Sequence, residues 1–418
     1  MKVLGIIAEY NPFHHGHKYH LKKSKEKIGA DYSIAIISGS FLQRGGPSLT
    51  DKWTKAKMAI DNGFDLVLEL PFIYASQSAE YFAYGGVKLL DSLNIADYIS
   101  FGSESGNINE LSYIARILNE EPKRYLEKLK ENLDEGLSYS VSRSNALDDY
   151  IHLSSGNSNS TSDYKYILKQ SNNILAIEYL KALSKIKSNI EPITIKRLGS
   201  DYKDSSISKS FSSATSIRKT ILEKGLVSAQ ELIPRNSYRA LEEYINKYKY
   251  FNRLENYQDI IIYLLRTTPP EKIKKLLNIE EGLENRLIDK AFKYNDLTSI
   301  IEDTSSKRYP RTRIQRILIH LLHGLYKDDF TSYEEFYPSY IRVLGSNKNG
   351  FELLNTIKAN SQIPLINKFA NYKDLKDKNV TSIINYDKIS SDNFILGIKN
   401  PDILPNQDYL NSPYIRRS

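Results

Sequence analysis

The sequence predicts an α/β fold class: a parallel sheet with helices on its faces in the first half, then a mostly helical second half. Three observations predict it. Short apolar runs alternate with helical segments through the first two hundred or so positions. Each early run ends at once in small or polar turn residues. Beyond about Lys224 strand-like runs become scarce and amphipathic spacing dominates. At 418 residues the chain is long enough for two domains and at least one large core. The change of character places the domains at 1–222 and 223–418.

The elements follow in order. The first apolar run, 3–7, leads through Asn11 and Pro12 into a His-x-Gly-His step that opens a basic helix over about 17–27. The second strand, 32–37, ends in Ser38-Gly39-Ser40; the third, 66–70, ends at Pro71; the fourth, 98–101, ends in Gly102-Ser103-Glu104. A fifth strand is predicted over 193–196, after helical periodicity at 174–186. Ligands of open α/β sheets bind at the carboxyl ends of the strands, so these polar turns are expected to converge on one crevice. Between 137 and 163 the pattern loosens, and the Ser/Asn tract 154–162 reads as a low-complexity mobile loop. Ser213-Ala214-Thr215-Ser216-Ile217-Arg218 leads into another helix. Amphipathic segments follow at 240–248, 257–266, 270–277 and 283–292, and 340–345 is the most strand-like piece of the second half.

Composition narrows the function classes. Hydrophobic residues make up 40%, and no apolar run approaches membrane-spanning length. Glu9 interrupts the short initial apolar run, so no signal peptide is expected and a cytoplasmic location is. The absence of cysteine excludes disulfides, thiol nucleophiles and thiolate metal sites. A net charge of +8 favours a polyanionic partner such as RNA only mildly, since a bias towards Lys, Ile, Asn and Tyr gives the same excess.

Four of the seven histidines, His14, His15, His17 and His20, lie in one stretch at the first strand-to-helix turn. Gly16 lets a bound group approach the backbone, and the helix start offers free N–H donors and a positive dipole end. Strand, turn, glycine and helix in that order make a phosphate site, where His14 and His17 would touch the oxygens of a reacting phosphate. The same histidines could instead ligate a metal, although no acidic metal motif accompanies them, or could simply be surface residues.

With these residues in view, His14-x-Gly16-His17 resembles the signature of the HIGH superfamily of nucleotidyltransferases. The wider run Glu9-Tyr10-Asn11-Pro12-Phe13-His14-His15-Gly16-His17 resembles the opening of the bacterial tRNA(Met) cytidine acetate ligase family. Ser38-Gly39-Ser40-Phe41-Leu42-Gln43-Arg44-Gly45, Asp65-Leu66-Val67-Leu68-Glu69-Leu70-Pro71, Phe101-Gly102-Ser103-Glu104, Asn172-Asn173-Ile174-Leu175 and the Ser213–Arg218 turn continue the resemblance in the same order. It extends weakly through Lys307-Arg308-Tyr309 and Tyr340-Ile341-Arg342-Val343-Leu344-Gly345. His15 stands where the family often has Asn, and Ser171 where Pro usually precedes the Asn pair.

The resemblance implies a Rossmann-like nucleotidyltransferase domain and a helical tRNA-binding domain. It implies ATP contacts from Ile7, Ala8, Glu9, Tyr10, Asn11, Pro12, Phe13, His14, His15, Gly16, His17, Lys18, Tyr19 and His20, and from Gly102, Asn172 and Arg197. A missing side chain at Gly102 makes room for adenine or ribose, the Asn172 amide suits their polar edges, and the Arg197 fork suits phosphate. Ser213, Thr215 and Arg218 would close over the β- and γ-phosphates, unless the turn is an ordinary helix cap. Ser38, Gln43 and Arg44 would meet acetate or RNA. Lys307, Arg308, Arg311, Arg313 and Arg316, the densest basic run, would contact RNA, although such runs are commonly solvated helix faces. The implied reaction joins acetate to the wobble cytidine of elongator tRNA(Met) through an acetyl-adenylate, with Mg2+ accompanying the triphosphate and no dedicated protein metal site. The alternatives are an acetate-activating ligase acting on a protein-bound thiol, and a catalytically dead RNA-binding relative.

Overall fold

Strand-forming runs rich in Val, Ile and Leu pair along one another's edges, and the order in which they do so creates the site. In the computed structural model, which describes residues 1–155, 164–198, 212–280, 282–334 and 339–417, ten strands occur. They are β1 (Val3–Ala8), β2 (Tyr32–Ser38), β3 (Phe41–Leu42), β4 (Gly46–Pro47), β5 (Leu66–Leu70), β6 (Tyr98–Ser103), β7 (Glu191–Lys196), β8 (Ile341–Ser346), β9 (Leu365–Ile366) and β10 (Tyr414–Ile415). All except β3 and β4, which pair as a hairpin, join one sheet of order β10-β8-β5-β2-β1-β6-β7, with β9 beside β8. The five strands predicted from sequence are present, and all five run parallel.

From β1 the chain moves outward through β2 to β5, then returns to the other side of β1 for β6 and β7. The direction reverses between β1 and β6, so a crevice opens at their carboxyl ends. Side chains of β1 alternate between two cores: Val3 and Ile7 face one, Leu4 and Ile6 the other. The helix Ala79–Ser92 lies close under β1, because a Cβ at Gly86 would stand 2.8 Å from Ile7 Cδ1.

The sheet does not stop at the expected 222/223 boundary. β8 runs antiparallel to β5, with Leu66 opposite Ser346, and β10 runs parallel to β8. The reason is the edge of β5: all five of its residues are buried, and its unpaired backbone groups require a partner. The strand-like piece at 340–345 supplies it, with all six residues of β8 buried.

Between β7 and β8 the described chain is mainly helical, with Ala214–Lys224, Arg235–Tyr248, Gln258–Thr267, Leu283–Lys293 and Arg311–His323 as its longer elements. The segment expected at 270–277 is helical only over Pro270–Ile273. Where the pattern loosened after 137, a helix spans Tyr139–Ser155; it has no continuous apolar stripe but buries Ala146, Leu147 and Ile151. The rest of the Ser/Asn tract lies outside the described residues.

Candidate active site

The turn after β1 is held from several sides. Asn11 Oδ1 accepts from Leu49 N at 2.7 Å, and the rings of Tyr10 and Phe13 are buried. They flank His17 at centroid distances of 4.8 and 5.5 Å. His14 ends the turn as the N-cap of the helix His15–Ile28. Its Nδ1 accepts from Gly16 N at 3.0 Å, while His17 Nδ1 accepts from His14 N at 3.2 Å. Two histidines thus perform the reciprocal capping usually done by Ser or Thr with Glu. The rings stack at 3.7 Å, 26° from parallel.

Those bonds fix the protons. An acceptor Nδ1 in a neutral imidazole leaves the hydrogen on Nε2, so each ring offers one Nε2–H donor. Burial holds the rings neutral, with help from nearby cations. His14 is pulled down to about 3 by desolvation and then by Arg197, His15 and Arg218. His17 is lowered well below its ordinary value by desolvation and then by His14 and Arg197. His20, whose Nε2 lies 2.9 Å from Ser100 Oγ, is lowered to about 4. The pair therefore carries hydrogen-bond donors rather than charge, and the positive charge nearby belongs to arginines.

The crevice at the β1/β6 reversal is lined by Ile7, Ala8, Glu9, Tyr10, Asn11, His17 and His20 from the first turn and helix. Gly102, Asn172, Arg197 and Arg218 face the same space, as do Gln43 and Arg44 of the β3–β4 hairpin. A Cβ at Gly102 would stand 3.2 Å from Arg197 Cγ, so a side chain there would push on the arginine. Arg218 donates to Asn11 O at 2.9 Å and to Thr215 Oγ1 at 3.1 Å, which ties the Ser213–Arg218 turn to the histidine turn. Ser213 caps the helix Ala214–Lys224 by accepting from Ser216 N at 3.1 Å.

Other expected contacts stand back from this space. Pro12 and Phe13 are buried in the turn, while His15 and Gly16 form the first helical turn. Lys18 is exposed, and Tyr19 faces a separate surface beside Lys23 and Lys196. Ser38 is buried beneath, its Oγ without a hydrogen-bond partner. Its carbonyl accepts at 2.6 Å from the buried Lys55, which also reaches Glu9 O at 3.1 Å. Desolvation lowers the Lys55 ammonium to about 7.

The HIGH Nucleotidyl Transferase family matches the chain over residues 1–403. A tRNA(Met) cytidine acetate ligase from Thermoanaerobacter sp. (strain X514) is 47% identical, covering 96% of this chain and 97% of that protein. One from Clostridium perfringens (strain SM101 / Type A) is 42% identical over all of both chains. The crystal structure of Thermotoga maritima TmcAL bound with alpha-thio ATP superposes with a TM-score of 0.93 at 33% identity, covering 100% of each chain. The chain belongs to the tRNA(Met) cytidine acetate ligase family.

Several residues in and beside this crevice carry little signal in the sequence. Glu104 accepts from Asn172 Nδ2 at 2.6 Å and from Asn173 N at 2.8 Å, while Asn173 Oδ1 accepts from Glu104 N at 2.9 Å. This clamp turns Asn173 inward and leaves Asn172 to face the crevice. Phe82, Phe101, Leu175 and Tyr179 supply an apolar wall; their only sequence signal was position on an apolar helix face or strand end. The basic run is less free than its composition implied. Arg308 and Arg313 both pair with Glu280, at 2.9 and 2.7 Å, and Arg311 pairs with Glu302 at 3.0 Å. Arg316 is half-buried.

Proposed function

We propose that this protein is an ATP-dependent acetate ligase that makes N4-acetylcytidine at the wobble position of elongator tRNA(Met), by way of acetyl-adenylate. The observation that carries the proposal is His17, a neutral imidazole lining the crevice at the sheet's reversal point and stacked on the buried cap His14, with Arg197, Arg218 and Arg44 around the same crevice. That combination offers donors and charge to a triphosphate in the place where α/β folds bind nucleotides.

In the first step an acetate oxygen bonds to the α-phosphorus of ATP. The bond from that phosphorus to the bridging oxygen breaks, and pyrophosphate leaves with the electron pair. His14 and His17 donate from Nε2 to the oxygens whose charge grows, and Arg218 steadies the β- and γ-phosphates. Asn172 and Gly102 hold the adenosine end. In the second step the cytidine N4 attacks the acetyl carbon, AMP departs, and N4 loses a proton to water. The base must be unstacked for this, which a single-stranded anticodon loop permits at low cost.

We assign ATP and acetate to 1–222 and tRNA to the mostly helical 223–418, with Lys307, Arg308, Arg311 and Arg313 on the RNA side. Mg2+ would arrive with the triphosphate. We place this work on tRNA in the cytoplasm; among the described residues no helix is long and apolar enough to cross a membrane. The test is incubation with labelled acetate, ATP, total tRNA and protein thiols, followed by mass spectrometry of tRNA nucleosides. Acetate is expected on cytidine alone. Label on thiols, or none anywhere, would refute the proposal.

A further inference from the structure

We infer that Arg316 is a positioning residue: from the helical half of the chain it fixes the Gln43 peptide, and with it the Gln43–Arg44 wall of the acid-activating pocket. The inference rests on the acetate-activating function proposed above. Gln43 is gripped on both faces of its backbone. Its N–H donates to Glu9 Oε1 at 2.9 Å, and its carbonyl accepts from Arg316 Nη1 at 3.3 Å. Glu9, Gln43 and Arg44 line the same crevice as His17 and Arg218.

Contact between the hairpin and the helix Arg311–His323 is close. Gly45, at φ +77, leaves no room for a side chain: a Cβ there would stand 2.3 Å from Arg316 N and 2.5 Å from Gln315 C. The hairpin therefore sits directly on the helix backbone at the level of Arg316. Other arginines of the basic run turn to Glu280 and Glu302, whereas Arg316 turns towards the pocket wall. Its Nε is buried without a hydrogen-bond partner, and desolvation lowers the guanidinium to about 10. Keeping a cation there is unfavourable unless its geometry is needed, since an apolar side chain would suit the helix better.

A small carboxylate must approach an already anionic triphosphate, so an error in the Gln43–Arg44 wall should weaken acetate more than ATP. The experiment is ATP–pyrophosphate exchange driven by acetate, without tRNA, on the full chain carrying Arg316→Gln, Arg316→Lys or Gly45→Ala. Arg316→Gln is expected to raise the KM for acetate about tenfold, the usual weight of one bond to a charged group, with the KM for ATP within twofold. Arg316→Lys should rescue part of this, to a rise of about threefold, because an ammonium can reach the carbonyl without the fork. Gly45→Ala should act in the same direction as Arg316→Gln. If Arg316→Gln shows no cooperative melting, Arg316→Lys decides by the same selective rise. An unchanged acetate KM in a folded variant overturns the inference, as does an equal rise for both substrates. So does normal exchange with defective tRNA acetylation, which would make Arg316 an RNA contact. Failure of the unsubstituted protein to exchange at all would instead sink the proposed function.

Discussion

His17 has two jobs on one ring, and they can be separated. Its Nδ1 accepts the His14 N–H at 3.2 Å, and in the proposed reaction its Nε2–H meets the nucleotide. Replacing it by Ala removes both and opens space between Tyr10 and Phe13, so Ala alone tells little. Asn places its Oδ1 near the Nδ1 position and keeps the cap without reaching the phosphate. Gln places its amide nitrogen near the Nε2 position but cannot take the cap bond. The cap is worth about 1 kcal/mol, and the transition-state donor about 10²–10³ in rate. His17→Asn is therefore expected to melt as the wild type does, yet to lose about 10²–10³ in acetate-dependent ATP–pyrophosphate exchange. His17→Gln should melt about 2 °C lower and keep more exchange than Asn. In both, tRNA affinity by filter binding should stay within twofold. Near-normal exchange by a folded His17→Asn would refute the role given to Nε2–H.

Further outcomes are expected. Glu104→Ala releases Asn172 and Asn173 from bonds of 2.6 and 2.8 Å, so the KM for ATP should rise about tenfold with kcat little changed; an equal loss in kcat would count against it. His14, His20, His320 and His323 lie at about 3, 4, 4 and 3 in the folded protein. Unfolded, each takes up a proton near 6.5, so below that pH the unfolded chain binds more protons and stability falls by up to about 1.4 kcal/mol per pH unit per histidine. Melting temperature should drop as pH falls from 6.5 to 4.5; a level curve through that range would contradict the buried neutral rings. Lys307→Ala and Arg311→Ala should each flatten the salt dependence of tRNA binding by a little under one unit and leave exchange untouched, whereas Glu280→Gln should free Arg308 and Arg313 and tighten tRNA. Identical salt slopes would remove the basic run from the RNA surface.

What could be read from the chain was whatever depends on near neighbours. The five parallel strands are contiguous apolar runs, and the helix from His15 announces itself by turn, glycine and basic face. β8 was legible as a strand but not as the partner of β5, because the pairing joins Leu66 to Ser346 across 280 positions. The β3–β4 hairpin has two residues in each strand and no pattern to detect. Asn172 and Asn173 were indistinguishable until the helix Ser171–Ile186 turned one inward. Arg316 could have been caught: in the helix from Arg311 it shares a face with Ile319, His320 and His323, three, four and seven positions on, and all three are buried. Composition alone treated all five basic residues as equals.

Neutral histidines in an anion site are the feature that composition hides most completely, and they suit this chemistry. The nucleophile is an anion that must reach a phosphorus already crowded by negative oxygens. A fixed imidazolium pair against the α-phosphate would hold the ground-state triphosphate tightly and could also capture the incoming carboxylate away from its line of attack. Neutral N–H donors bind a resting phosphate oxygen only modestly, and they gain strength as charge collects on that oxygen. Arg218, tied to the histidine turn through Asn11 O, is held below its ordinary value by burial, with the Glu9 carboxylate opposing that shift and Arg44 adding to it. Glu9 also holds the Gln43 N–H. One carboxylate thus links the cation expected over the leaving group to the wall expected to meet the acid, so Glu9→Gln should weaken acetate and ATP together, unlike Arg316→Gln. A Glu9→Gln variant with only its ATP KM altered would break that link.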